Sequence, residues 1–374
     1  MSFASPSAPA RWFVYAGIFF RWLCVCLFVL NILGDYVSFI PYDIYVFSLS
    51  ALGLLGVVVF ITLIEVGVIL WRKNNQTSLV KRHDLNFFAS RYFLAFIFFS
   101  YGIAKLINQQ FGSPYHILDR SVAELNGYLL SWRFFDYSFS YKFFIGMGQV
   151  IASALFLSRK TASLAAVIML PIISNIVFVN FAFGVPVTFF SFCYLIFTIY
   201  ILLCDFDRLN ALFIQNNAFS SNPILQITRY RFFSTRGFKI TRSIFVIAII
   251  CWPLSDYFKY MDERNINKGV TGSYKISNFN YVNNANCPDS IRWKKFFVEK
   301  WGGRGAARLA NDKWVYFTNI SFDEKKHKMK ISFWDSIHYH SLQADYKKVN
   351  DDSISINGLW GKDSIRMNMK RYLK

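Results

Sequence analysis

The sequence predicts an α-helical membrane protein of about seven transmembrane helices, followed by a C-terminal all-β domain that forms a small barrel or a sandwich. Several apolar runs extend for about 18 residues or more, which is enough to cross a hydrocarbon layer roughly 30 Å thick. From about Gly269 these runs give way to short segments in which apolar and polar residues alternate. The composition agrees, because 54% of the 374 residues are hydrophobic and only 17% are charged. A soluble chain of this length could bury so much apolar mass only in an unusually large core.

The apolar runs give seven predicted membrane spans. They are Trp12–Leu33, Ile44–Trp71, Asn86–Ile107, Tyr141–Ser158, Thr161–Phe181, Pro186–Cys204 and Ile240–Phe258. The segment Val122–Phe139 is too polar to span, and we expect an interfacial or re-entrant helix with Trp132, Phe134 and Phe135 at headgroup depth. The first run is longer than the apolar region of a signal peptide and lacks a small-x-small cleavage site, so we expect a retained anchor.

The basic residues in the loops predict the orientation, since cytoplasmic loops carry an excess of Lys and Arg. The loops on the side of the N-terminus carry twelve, whereas the opposite loops (34–43, 108–140 and 182–185) carry only Arg120 and Arg133. We therefore expect a cytoplasmic N-terminus and, with an odd number of spans, an exported C-terminal domain. A missed or additional span would reverse the location of that domain.

The formal net charge of +19 has two sources. One is the set of cytoplasmic loops, where basic residues set the topology and meet anionic lipid. The other is the exported tail, which from Lys259 onward has about ten more basic than acidic side chains. Such a surface favours lipid headgroups, anionic glycans or an acidic protein, and a solvated basic face without a specific ligand is the alternative. The expected partners are therefore membrane lipids and an envelope protein or anionic polymer, with no nucleic acid.

The six cysteines argue against a dithiol redox centre. Five lie in or at the ends of spans, where Cys behaves as a small apolar residue. Cys24 and Cys26 lie about 200° apart on a helix, which places them poorly for pairing. No C-x-x-C motif occurs, and Cys287 is alone in the exported domain. Export without an internal disulfide suits the inner membrane of a bacterium, with the β domain in the periplasm, and no cofactor is expected.

The chain is predicted to have five parts. They are an N-terminal hairpin (1–85), a four-helix membrane bundle (86–205), a basic cytoplasmic loop (206–239), a last transmembrane helix (240–258) and the exported β-rich domain (265–374).

Seven segments of the exported domain alternate between apolar and polar residues and are predicted to be strands. They are 272–282, 291–301, 313–320, 328–334, 339–348, 353–360 and 364–371. Seven or eight short strands predict an up-and-down barrel or a sandwich, and the glycine-rich residues 302–305 are predicted to form a turn. We expect Phe279, Tyr281, Tyr316 and Phe333 to fill a small interior, with a lined pocket as the alternative.

Two ionisable residues within the predicted spans are candidates for a buried ion pair. Arg21 lies roughly 13 Å and Glu65 roughly 9 Å from the cytoplasmic edge, at 1.5 Å per helical residue. Because these depths nearly match on consecutive antiparallel helices, we expect Arg21 and Glu65 to pair. A structural tie is the first interpretation, and a proton or ligand site is the second.

Polar residues near the outer ends of the central helices form a second candidate site. Tyr101 and Lys105 lie one helical turn apart, Gln149 lies on the next span, and Asn175 and Asn180 lie near the end of the span after it. Their depths agree within about two turns, so they are predicted to converge on a polar pocket that opens to the exported side. Hydrogen bonding between helices is the alternative.

Motifs for catalysis and metal binding are absent from the sequence. His338 and His340 would lie on one face of a strand and could chelate a metal, but no third ligand is near in sequence, so no metal site is expected. No nucleophile elbow, zincin, phosphate-binding or dinucleotide motif occurs. The sequence therefore favours a protein that is not an enzyme.

The central helices show a family resemblance. The stretch RYFLAFIFFSYGIAKL (Arg91–Leu106) resembles the first helix of the DoxX-like membrane family, and Gly146–Phe181 is similar to its second and third helices. The resemblance covers about residues 86–205 and implies a four-helix membrane bundle; some relatives belong to a thiosulfate:quinone oxidoreductase, and others are linked to redox stress. Gln149 stands where many members carry an acidic residue, which counts against a proton-coupled role.

These observations are compatible with two functions. The first is an accessory or assembly component whose exported domain binds a partner, lipid or envelope polymer. The second is a quinone- or thiol-linked oxidoreductase subunit, with quinone as its cofactor, as the resemblance implies. The missing dithiol and cofactor motifs favour the first. A transporter would need broken helices in related halves, and Pro171 is the only hint of one.

Overall fold

The structure is a computed structural model of the chain. It describes residues 10–34, 44–72, 76–215, 236–265, 267, 269–281, 288–300, 302–334, 339–360 and 363–373. Cys287, His338 and most of the loop predicted at 206–239 lie outside these residues. The chain divides into two compact units, of which the first comprises 1–110 and 139–253 and the second 111–138 and 254–374.

Ten helices of four residues or more are described. In chain order they are α1 (Arg11–Gly34), α2 (Ile44–Trp71), α3 (Gln76–Leu106), α4 (Tyr115–Leu118), α5 (Gly127–Tyr137), α6 (Phe139–Phe156), α7 (Ala162–Ala182), α8 (Thr188–Cys204), α9 (Phe206–Phe213) and α10 (Arg236–Asn265). Helices α4 and α5 belong to the second unit. Helix α10 contains Pro253, the last residue of the first unit.

Five of the described helices are long and apolar enough to cross a membrane, namely α1, α2, α3, α6 and α7. Helices α8 and α9 are bent by 75° at Asp205 and give a sixth candidate if they count as one span. This coarse picture fits a membrane protein. The seven predicted spans include α10, which is not among the candidates found in the described residues.

Helix α3 begins ten residues before the predicted start of the third span. Its first part carries Arg82 and Asp84, which break the apolar pattern of the sequence. Both are paired in the structure, because Arg82 bonds Glu65 and Asp84 lies 3.3 Å from Arg159. The predicted domain boundary at 85/86 therefore lies inside a continuous helix.

The core of the first unit surrounds α3. Phe93 and Phe98 of α3 pack with Phe156 of α6 and with Tyr194 and Phe197 of α8, and α7 adds a row of small buried residues. Helix α1 joins this cluster from outside the bundle. Four helices (α3, α6, α7 and α8) thus share one core.

Eight antiparallel strands form a closed barrel in the second unit. They are β1 (Gly272–Tyr281), β2 (Trp293–Val298), β3 (Gly305–Leu309), β4 (Trp314–Asp323), β5 (Lys328–Trp334), β6 (Tyr339–Asn350), β7 (Ser353–Trp360) and β8 (Asp363–Leu373). Each strand pairs with its neighbour in sequence, and β8 closes on β1 from Ser273 opposite Leu373 to Tyr281 opposite Ile365. The predicted choice between a barrel and a sandwich is resolved in favour of the barrel.

Strand β3 was not predicted. Gly302 and Gly303 have φ angles of 49° and 60° and form the expected turn, but Gly305 already belongs to the strand. A side chain on Gly305 would meet the Phe297 carbonyl at 2.6 Å and the Phe317 ring at 2.8 Å. Only glycine allows this close approach of strands. The strand is short and rich in alanine, which hides its alternation.

The barrel interior is filled by side chains. Trp293 is almost completely buried and stacks on Phe296 at 5.7 Å, with Phe317 at 5.5 Å and Trp360 at 5.6 Å. Phe279, Tyr281 and Phe333 contribute to this core as predicted. Tyr316 does not, because it lies on the outward side of β4 and is half exposed.

Candidate functional site

Two of the predicted pocket residues, Lys105 and Gln149, lie where α3 and α6 touch. A side chain on Gly102 would meet the Gly146 carbonyl at 3.0 Å and Gln149 Cβ at 3.2 Å, and one on Gly146 would meet Lys105 Cβ at 3.1 Å. Small residues let helix backbones approach this closely inside a membrane. Lys105 and Gln149 therefore lie at this contact, and Tyr101 lies one turn before Lys105 on α3.

Lys105 and Gln149 are 4% and 2% exposed. The Lys105 ammonium donates to the Gln110 side-chain oxygen at 2.8 Å and lies 5.6 Å from the Tyr101 ring centre. Gln149 Oε1 has no hydrogen-bond partner among the described residues. A buried amide oxygen in this state is available to a donor group, since leaving it unpaired costs about 1–3 kcal/mol.

The two predicted asparagines lie elsewhere. Asn180 is buried and donates to Ser191 Oγ at 3.0 Å, which ties α7 to α8. Asn175 lies on the exposed side of α7. Depth along the chain predicted both residues, but the rotation of α7 about its axis decides which of them points inward.

Sequence reasoning missed Lys142, a lysine inside the fourth predicted span. It is 1% exposed and donates to the Asn108 side-chain oxygen. The rule that singled out Arg21 and Glu65, that an ionisable group inside a span is costly unless satisfied, applies to it equally.

Arg21 and Glu65 form an ion pair with partly buried side chains. Glu65 also accepts hydrogen bonds from Arg82 and, at 2.8 Å, from Trp22 Nε1. One carboxylate thus receives three donors from α1 and α3. The arrangement ties α1, α2 and α3 together, which is the structural role expected first of the pair.

In the second unit, residues 111–138 lie against the barrel, and we call this segment the strap. It contains α4 and α5, and its aromatic residues form a small core of their own. Phe111 stacks on Phe135 at 4.6 Å and meets Trp132 edge-on at 4.9 Å. Phe135 is therefore buried in protein rather than free to enter a headgroup layer, whereas Phe134 is largely exposed.

Glu299, which follows β2, holds the first helix of the strap. Its carboxylate accepts the Tyr115 amide at 2.6 Å and the His116 amide at 3.1 Å, and the His116 ring Nδ1 lies 2.7 Å away. Glu299 is only 4% exposed. Hydrogen bonds to a buried carboxylate are among the stronger ones in proteins, so this residue fixes the start of the strap.

Asp119 makes a second attachment. Its carboxylate accepts from Lys295 at 2.6 and 2.9 Å and lies 3.7 Å from Arg308. The Tyr372 hydroxyl donates to it at 2.8 Å. Burial, together with the neighbouring Asp119 carboxylate, raises the pKa of Tyr372, so the phenol stays protonated and keeps donating.

The strap covers the outward side of β2, β3 and β4, which we call the covered face. Phe297 and Ala306 point outward there, yet both are completely buried, because Tyr115 and Leu118 of the strap pack on them. Trp314 stacks beside Phe297 at 5.6 Å, and the Arg120 guanidinium lies 5.0 Å from the Trp314 ring centre.

The outward side of β7, β8 and β1 forms a different surface, which we call the open face. Its described side chains are mainly amides, hydroxyls and cations, namely Lys275, Ser277, Asn280, Ser355, Asn357, Leu359, Arg366, Asn368 and Lys370. Lys275, Arg366 and Lys370 are exposed and form no ion pair with any other described residue. Along the row of the sheet that contains Arg366, Asn357 of β7 is followed by Asp345 of β6, and Lys275 is opposite Lys295 of β2.

Two concave regions lie on the barrel, and both are lined by acidic as well as basic side chains. One of about 580 Å³ is lined by Glu324, His327, Tyr346, Lys347 and Lys348, with Glu324 3.6 Å from Lys348. The other, of about 470 Å³, lies over β4 to β7, where Lys328 is opposite both Asp323 and Asp345. In both regions carboxylates lie among the lysines, and each lining has one more lysine than carboxylates.

Within the described residues, no three His, Cys, Asp or Glu side chains are placed to hold a metal ion. His340 of the predicted histidine pair stacks on Phe333 at 5.1 Å, inside the aromatic core of the barrel.

Comparison with known proteins gives one informative match. Over 125 residues, which are 33% of this chain, the sequence is 38% identical to the Bacillus subtilis (strain 168) protein described as "Uncharacterized protein YwoB", and the match covers 80% of that protein. No protein-family model matches the chain, and no solved structure matches it.

Proposed function

The chain belongs to the family of the Bacillus subtilis protein YwoB, and we propose that it is a membrane-anchored accessory component whose barrel binds a ligand of the cell envelope. The observation that carries this proposal is the difference between the two sides of the barrel. The strap covers one side with apolar contacts and paired charges, and the other side presents unpaired cations and amides to solvent.

The topology supports an extracytoplasmic barrel. The strap lies between α3 and α6, and it is bonded to the barrel through Glu299 and Asp119, so both occupy the same side of a membrane. The chain must therefore cross the membrane an even number of times between the end of the strap at residue 138 and the start of the barrel at Gly272. The predicted spans there number four, ending with the one in α10. Together with the excess of basic residues in the loops on the opposite side, this count supports a strap and barrel outside the cytoplasm of a bacterial cell.

The bundle supports an anchoring role of the DoxX-like kind. Its four helices share one core, and the carboxylate of Glu65 ties the added α1–α2 hairpin to it through Arg21 and Arg82. These contacts hold the helices together. We propose that residues 86–205 form a bundle of the DoxX-like kind.

One observation favours a second function, an oxidoreductase subunit that holds a quinone. Lys105 and Gln149, whose Oε1 has no partner among the described residues, are both buried at the α3–α6 contact, and such polar groups inside a bundle can bind a small molecule. The absent dithiol motif weighs against thiol chemistry.

Purification in mild detergent, followed by mass spectrometry and sugar and phosphate analysis, tests the proposal. An envelope polymer or envelope protein that co-purifies with the full-length chain is the expected result. A quinone present at one molecule per chain and lost in Gln149→Ala would contradict it and favour the oxidoreductase. The matched control is Ser153→Ala. Ser153 lies on α6, as Gln149 does, and the change removes the hydrogen bond from its hydroxyl to the Ala95 carbonyl of α3.

A further inference from the structure

We propose that the open face binds an anionic, hydroxyl-rich polymer, meaning a polyol or sugar chain that carries repeated phosphate or carboxylate groups. This inference rests on the proposed function and names the ligand class of its barrel. The evidence is the placement of three cations among amides and hydroxyls on three adjacent strands.

Lys275 and Lys370 are directly opposite each other on β1 and β8. Like charges in this position are destabilising, since the Cβ atoms of cross-strand partners lie about 4.5–5.5 Å apart. Neither lysine forms an ion pair with a described residue. An anion bound between the two ammonium groups would remove the repulsion, and this makes the pair a charge arrangement suited to a bound anion.

Arg366 extends the charge along β8. It lies four residues from Lys370 and on the same side of the strand, which separates the two positions by about 13 Å. One small anion cannot reach both positions. A chain with repeated anionic groups can, and it gains affinity from the second contact because the first holds it in place.

The side chains between these cations suit hydroxyl groups. Asn368 lies between Arg366 and Lys370, with Ser355 opposite it on β7, and Asn357 and Asn280 are opposite Arg366 on either side. Carboxamides donate and accept at once, as hydroxyl groups of sugars and polyols do. Along this surface, cations that can bind anionic groups alternate with polar side chains that can bind hydroxyl groups.

Two other polyanions fit this face less well. Single-stranded nucleic acids stack their bases on aromatic rings, but Tyr372 is the one aromatic residue among the described outward side chains of β7, β8 and β1, and its hydroxyl is bonded to Asp119. A lipid surface takes up exposed apolar side chains, and Leu359 stands alone among polar neighbours.

The test compares two triple variants of the full-length protein in detergent. The first removes three charges from the open face, by Lys275→Gln, Arg366→Gln and Lys370→Gln. The control removes three charges from exposed positions on the opposite side of the barrel, by Lys313→Gln, Lys325→Gln and Lys330→Gln. Binding is measured by interferometry on immobilised poly(glycerol phosphate), polygalacturonate and uncharged dextran, and amide exchange verifies that each variant is folded.

The wild-type chain is expected to bind an anionic polymer but not dextran, and the stronger of the two anionic polymers identifies phosphate or carboxylate as the group recognised. The open-face variant should bind about tenfold more weakly and the control variant within about twofold of the wild type. Equal weakening of both variants would overturn the site. A wild-type chain that binds neither polymer yet co-purifies with an envelope protein would also overturn it, while the proposed function would stand.

Discussion

The covered and open faces of the barrel belong to the same sheet but treat charge in opposite ways. On the covered face, Lys295 and Arg308 meet Asp119 of the strap, and the apolar Phe297 is hidden beneath Tyr115. On the open face, Lys275 and Lys370 oppose each other without a described counterion. One side of the barrel therefore has its charges paired within the fold, and another side has cations that are not paired.

The difference teaches where this protein has chemical capacity left for a partner. Residues whose charges are satisfied inside the fold contribute to stability and have little left to offer a ligand. Unpaired cations in a row contribute nothing to the barrel and carry a cost from their mutual repulsion. A bound external anion would offset this repulsion, and for this reason we propose an anionic ligand for the open face.

The largest expected difference between the faces comes from deleting an apolar side chain. Phe297→Ala should destabilise β2 and β3 by about 3–5 kcal/mol, because it opens a cavity beneath the strap. Leu359→Ala on the open face should cost less than about 0.5 kcal/mol, since Leu359 is 56% exposed. Hydrogen exchange of the strand amides, read by mass spectrometry, measures both. Comparable losses from the two changes would mean that the strap does not seal the covered face.

A smaller effect is expected at the start of the strap. Glu299→Gln keeps the size of the side chain but removes its charge, so the attachment of Tyr115 and His116 should weaken by about 2 kcal/mol, or roughly thirtyfold in amide exchange. The matched control is Glu324→Gln, because Glu324 is exposed and lies 3.6 Å from Lys348. Exposed ion pairs contribute about 0–1 kcal/mol, so this variant should exchange almost as the wild type does. Unchanged exchange in the strap of Glu299→Gln would show that other contacts hold it.

Much of the fold could be predicted from the sequence because its signals are local. Alternation in 328–334 and 353–360 gave β5 and β7 within their observed bounds, and apolar runs gave the candidate spans. Strand β3 was not predicted, because its glycine and alanine residues do not show an alternation of apolar and polar side chains. Helix α3 is longer than predicted, because ion pairs with residues distant in sequence stabilise the charged side chains in its first part.

The candidate sites were predictable only in part, since contacts across the chain decide them. Depth matched Arg21 with Glu65, because both lie on adjacent antiparallel helices. Depth alone could not tell that Asn175 points away while Asn180 points inward. The strap could not be foreseen either, because Glu299 lies more than 180 residues from the amides it accepts.

Lysine footprinting tests the central claim most directly, because it compares the two faces in the unmodified protein. The full-length chain is acetylated with and without poly(glycerol phosphate) or polygalacturonate, and each lysine is quantified by mass spectrometry. The account predicts that the polymer protects Lys275 and Lys370, while Lys313, Lys325 and Lys330 react as before. Equal protection of all five lysines, or protection confined to the last three, would contradict it.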